Sequence, residues 1–141
     1  MAKKLLIVED SDDVRRLLRM TFDSVEYAIH EAANGTDAVR IAREILPDVI
    51  VMDVTMPGAI DGLRACEIIK SDDRLQSSFV VMVTARGRAQ DLERGYEAGA
   101  DAYLVKPFSP MRLTDVIASR ARDPGASGIA RPASMQNKEN R

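Results

Sequence analysis

Cysteine and histidine occur once each in this sequence, as Cys66 and His30. A lone thiol cannot close an internal disulfide, and no residues stand at zinc-ligand spacing. Long apolar runs are also missing. Leu5 to Val8 gives way to Glu9-Asp10, too short for the core of a secretory signal. Phe79 to Val83 falls far below a membrane span. There is no surplus of positive charge: 20 Lys and Arg face 22 Asp and Glu, for a net charge of −2. The tail from Asp123 onward is slightly basic, which leaves the body more acidic still. Nothing here resembles the basic footprint of a nucleic-acid binder. These absences point to a cytoplasmic chain with no membrane insertion and no direct contact with nucleic acid.

What is present suits one globular domain. The 141 residues are 45% hydrophobic and 30% charged, enough for a full core. The organising stretch is Asp48-Val49-Ile50-Val51-Met52-Asp53, followed by Met56-Pro57-Gly58. An unbroken apolar run of this kind predicts a strand buried on both faces. The Pro-Gly pair predicts a turn, so Asp53 stands where the strand emerges.

Four more short apolar runs follow the same plan: Leu5 to Val8, Tyr27 to Ala32, Phe79 to Val83 and Ala102 to Val105. Helical periodicity fills the gaps between them. Ser11 predicts the cap of a first helix bearing Val14, Leu17, Leu18 and Phe22 on one face. Asn34-Gly35 predicts a turn, then a helix that Pro47 stops. Asp61-Gly62 opens a third helix, Gly99 closes a fourth, and Ser109-Pro110 starts the last. Alternating strands and helices predict an α/β fold with a parallel sheet covered on both sides. From Asp123 to Arg141 the sequence is rich in Gly, Ser, Pro, Ala and Asn, which predicts a disordered tail after a folded unit spanning 3–122.

Parallel strands bring their ends to one rim, where open α/β sheets bind ligands. That rim collects Glu9, Asp10, Asp53, Thr84 and Lys106. Each alone has an ordinary explanation as a cap, turn former or solvated charge. Together they form a constellation. Three carboxylates repel one another unless a cation sits among them. Few, hard oxygen ligands suit Mg²⁺. A lysine and a hydroxyl opposite the acids call for an anion, and a phosphoryl group satisfies both sets. Asp53, on the central strand, is the natural nucleophile, and its attack on phosphorus yields an aspartyl phosphate.

The motifs Glu9-Asp10, Asp53-Val54-Thr55-Met56-Pro57-Gly58, Asp61-Gly62, Val83-Thr84-Ala85 and Ala98 to Phe108 closely resemble those of the receiver domain of two-component response regulators. Five motifs in the right order make the resemblance specific. It implies a flavodoxin-like, doubly wound five-stranded parallel sheet in the order 2-1-3-4-5, with five helices. It implies that Asp53 accepts a phosphoryl group from a phosphohistidine of a sensor histidine kinase or histidine phosphotransfer protein. Asp10 and Asp53 would ligate Mg²⁺ directly, Glu9 through water, and Thr55 through its backbone carbonyl. Lys106 would bond a phosphoryl oxygen, Thr84 would move to do the same, and Tyr103 would swing inward behind it. The Lys106-Pro107 bond would be cis. The last two helices and the Tyr103 strand would signal to a downstream protein target, the chain acting as a monomer or a phosphorylation-dependent dimer. Such a protein is a phosphoacceptor that assists its own phosphorylation and dephosphorylation rather than an enzyme. With no DNA-binding module in the tail, the chain reads as a stand-alone receiver.

A haloacid-dehalogenase-type phosphatase uses similar groups, but its nucleophile lies in the first motif with a second Asp two positions on. Here position 55 is Thr55 and the acidic pair comes first. The loop Pro57 to Gly62 is one residue longer than the common family form. Arg86, two after Thr84, occupies a position that in the family flanks the path of the hydrolytic water, and reads either as influencing phosphoryl lifetime or as a solvated loop charge. His30 and Cys66 read as structural, the arginines of the first helix as a solvated face, and Tyr103 as a half-exposed aromatic on an edge strand.

Overall fold

The computed structural model describes residues 2–23, 26–85 and 87–122. Strands and helices alternate: β1 (Lys3–Val8), α1 (Asp12–Thr21), β2 (Tyr27–Ala32), α2 (Gly35–Ile45), β3 (Val49–Asp53), α3 (Gly62–Ser71), β4 (Phe79–Thr84), α4 (Ala89–Glu97), β5 (Ala102–Val105) and α5 (Pro110–Arg122). All pairings are parallel and the order is β2-β1-β3-β4-β5, the doubly wound arrangement expected. Arg86 and the tail after Arg122, both subjects of expectations above, lie outside the described residues.

β3 sits at the centre and every one of its residues is buried, which is why its sequence lacks polar alternation. Strand side chains alternate between faces. Leu5, Ile7, Val49, Val51, Val81 and Val83 meet Leu18 of α1 and Leu113, Val116 and Ile117 of α5. Leu6, Val8, Ile50, Met52, Val80 and Met82 meet the inner faces of α2, α3 and α4. Two cores therefore clamp one sheet, and the strand ends are held from both sides.

Side-chain caps fix where the helices begin. Ser11 Oγ accepts from the Val14 amide at 3.3 Å, Asp61 from Arg64 at 2.9 Å, and Ser109 from Arg112 at 3.1 Å. Such caps are each worth about 1 kcal/mol. Asn34, expected only as a turn former, is also a cap: its side chain accepts from the Asp37 amide at 2.8 Å. α2 ends at Leu46 in the left-handed region with φ 51, because the following Pro47 disfavours the right-handed helical region there. Ile60, in the lengthened loop after β3, packs against the core on the α2–α3 side. Among the described residues, no helix is long and apolar enough to cross a membrane.

Candidate functional site

The first acid is held at every point. Glu9 directly follows β1 and is 1% exposed. Its amide donates to Ala32 O at 3.1 Å, and its carbonyl accepts from Arg15 Nη1 at 2.8 Å. One carboxylate oxygen accepts from the Ser11 amide at 3.2 Å, and the other from Lys106 Nζ at 3.1 Å. Asp10, next in the chain, stands exposed at the mouth.

Asp53 is the last residue of β3 and is buried. Its Oδ1 accepts from the Thr55 amide at 3.2 Å, and its Oδ2 lies 3.6 Å from Lys106 Nζ. Glu9, Asp10 and Asp53 each present an oxygen within 4.8 Å of the others. Lys106 reaches them because β5 pairs with β4 and its amide donates to Thr84 O at 2.6 Å. The Lys106-Pro107 bond is cis, as the resemblance implied.

Thr84 ends β4 one position past Val83, the register partner of Asp53, and is buried. Thr55 contacts Asp53 through its backbone amide. Tyr103 departs from expectation: it is not half-exposed but 1% exposed. β5 is an edge strand, yet α4 covers the face to which this ring points, and Tyr96 lies 6.4 Å away, ring centre to ring centre. The inward position is thus already taken here.

Two positions contribute more than their sequence suggested. Arg15 is not a solvated charge. It pairs with Asp12 and Glu31 and braces the Glu9 carbonyl, with 19% of its side chain exposed. No local spacing signals that contact, because Glu31 comes from β2. Gly62, read only as a helix start, lies against the backbone of Asp53. A Cβ there would fall 2.1 Å from Asp53 O. His30 lies half-buried on β2 opposite Leu6, and Cys66 is buried on α3, both consistent with structural roles.

Electrostatics bind the cluster together and leave it short of positive charge. The Asp10 carboxyl is held above its ordinary value by the hydrogen bond with Glu9, then by burial and by Glu9's charge. Burial alone pushes the Lys106 ammonium down, but its hydrogen bond to Glu9 and the charges of Asp53 and Glu9 outweigh that, and its pKa is raised. Two buried carboxylates this close repel by roughly 3 kcal/mol at an effective dielectric of about 20. Among the described residues, three carboxylates against one ammonium leave two negative charges uncompensated, the charge of one divalent cation. The donors are hard oxygens, which fit Mg²⁺ rather than a soft metal.

Known proteins share this fold. The sequence profile of the response regulator receiver domain matches residues 5–118. The transcriptional regulatory protein ResD of Bacillus subtilis is 42% identical over 110 residues, covering 78% of this chain and 44% of that protein. The chain thus spans less than half the length of that regulator. Among solved structures, the chemotaxis protein CheY4 of Vibrio cholerae superposes with a TM-score of 0.78 at 28% identity, covering 84% of this chain and 98% of that one. The receiver domain of the sensor histidine kinase PA1611 of Pseudomonas aeruginosa has a TM-score of 0.76 at 28% identity, covering 84% and 97%, and holds a magnesium ion in its active-site cleft. The profile runs from β1 into α5, and the solved receivers repeat the sheet between them: this chain belongs to the response regulator receiver domain family, the phosphoacceptors of two-component signalling.

Proposed function

We propose that Asp53 accepts a phosphoryl group from a phosphohistidine of a sensor histidine kinase or histidine phosphotransfer protein. An oxygen of the Asp53 carboxylate attacks phosphorus, the P–N bond breaks, and the imidazole leaves with the electron pair and takes up a proton. The observation that carries this reading is the position of Lys106 Nζ, 3.1 Å from Glu9 and 3.6 Å from Asp53. An ammonium in reach of both can bond an oxygen of a group attached to Asp53 while staying tied to the acidic pair.

Glu9, Asp10, Asp53 and the Thr55 carbonyl are the residues that would hold Mg²⁺, with Glu9 acting through water. The ion would neutralise charge on the phosphoryl oxygens. Thr84 supplies a hydroxyl beside Asp53, and a contact available only with the phosphoryl group in place biases its loop between two arrangements. Tyr103 reads out that loop, and the surface formed by α4, β5 and α5 presents the result to a protein partner in the cytoplasm. The protein assists its own phosphorylation and dephosphorylation without turning over a separate substrate.

Incubation with acetyl phosphate and Mg²⁺, followed by intact-mass measurement, tests the chemistry. One phosphoryl adduct is expected on the wild type and none on Asp53→Asn. An adduct that persists in Asp53→Asn would assign the acceptor elsewhere.

A further inference from the structure

Gly95 sits in the interior of α4, two residues before its end, with no positive φ to require glycine. Glycine there is less favourable than alanine, since it costs backbone entropy and contributes no contact. The reason lies across the sheet edge. A Cβ on Gly95 would stand 2.5 Å from Tyr103 Cε2 and 2.6 Å from Cδ2. The Tyr103 ring is therefore laid directly against the α4 backbone, in a notch that only glycine leaves open. Tyr96, the next residue, flanks the same ring. Turning the ring outward is the cheapest relief for a clash with a side-chain edge, because it moves one rotamer instead of a helix.

We propose that Gly95 is a positioning residue that seats Tyr103 inward, its missing side chain leaving the notch on α4 that the buried ring fills. Its signalling consequence rests on the proposed role of Tyr103, whereas the packing claim stands on the geometry alone. Any side chain at position 95 shifts the population toward an exposed ring.

The test is a double-mutant cycle with Gly95→Ala and Tyr103→Val, the valine being a strand former that ends short of the clashing atoms. In the wild-type background, Gly95→Ala lowers the urea midpoint and raises tetranitromethane nitration of Tyr103 several-fold, mapped by peptide mass. In the Tyr103→Val background the sign reverses: Gly95→Ala raises the midpoint, because alanine is the better helix former once the ring is gone. The same sign in both backgrounds, or unchanged nitration, overturns the proposal. If Gly95→Ala alone does not fold, a folded double variant supports the notch and an unfolded one refutes it. Acetyl phosphate labelling of Asp53 serves as the separate readout for the proposed function. Its failure in the wild type would remove that reading and leave the nitration and midpoint results to decide this one.

Discussion

Lys106 Nζ donates to Glu9 Oε1 at 3.1 Å across 97 positions of sequence, and is nearer to Glu9 than to Asp53 at 3.6 Å. Among the described residues, the ammonium of the cluster is thus anchored on Glu9 rather than on Asp53. Replacing Lys106 with Met leaves Glu9 buried without its cation, which is the costly way to break such a pair. Because the lysine side chain is 30% exposed, the expected loss is about 1–3 kcal/mol rather than the full buried-pair cost. Urea denaturation in metal-free buffer measures it. Adding Glu9→Gln to Lys106→Met should recover more than half of the loss.

Asp10 stands in the opposite situation. Its carboxyl is held above its ordinary value by Glu9 and by burial, so its charge at neutral pH opposes folding. Asp10→Asn should therefore raise the melting temperature at pH 7 in the presence of EDTA. Excess MgCl₂ should raise the wild type and leave the variant nearly unchanged. Scanning fluorimetry of both proteins with and without the metal gives the answer. A wild type indifferent to Mg²⁺ counts against the cation site.

Gly62 tests the backbone behind Asp53. A Cβ at position 62 would meet the Asp53 carbonyl at 2.1 Å, and neither partner is a flexible side-chain end. Gly62→Ala should cost about 3 kcal/mol, the upper part of the usual overpacking range. It should also slow acetyl phosphate labelling at saturating Mg²⁺, since relief of the clash moves Asp53. Labelling at the wild-type rate would show that α3 yields instead.

Cys66 carries a prediction in pH. Burial pushes its thiol up from an ordinary 9.0 to about 12. The unfolded chain then loses this proton before the folded one does. The contribution to stability is complete below about pH 9 and falls away as the pH rises toward 12. At pH 8 the native thiol should be silent to a chromogenic disulfide reagent, and one equivalent should react in urea. Comparing urea midpoints for wild type and Cys66→Ala above pH 9 isolates the linkage.

The fold was legible because each strand declared itself. The run from Val49 to Met52 has no polar interruption, and β3 is buried throughout. Caps at Ser11, Asp61 and Ser109 fixed helix starts because their chemistry is local. The acids and Lys106 were legible because parallel strands send their ends to one edge. What escaped was non-local. Arg15 looked like a surface charge, since nothing near it in sequence announces Glu31 or the Glu9 carbonyl. Tyr103 looked half-exposed because an edge strand says nothing about the helix that covers its face. Gly62 showed itself only as a helix start, because the approach of Asp53 is a property of the packed loop.

The strand order has a consequence for a chain still being made. β3, with Asp53, pairs on one side with β1 and on the other with β4, while the strand that delivers Lys106 joins last at the sheet's edge. A polypeptide leaving the ribosome carries Asp53 long before it carries Lys106. The lysine therefore meets the acidic cluster only after β5 has been made. A product stopped before β5 keeps Glu9 and Asp53 but lacks the ammonium that lies against them.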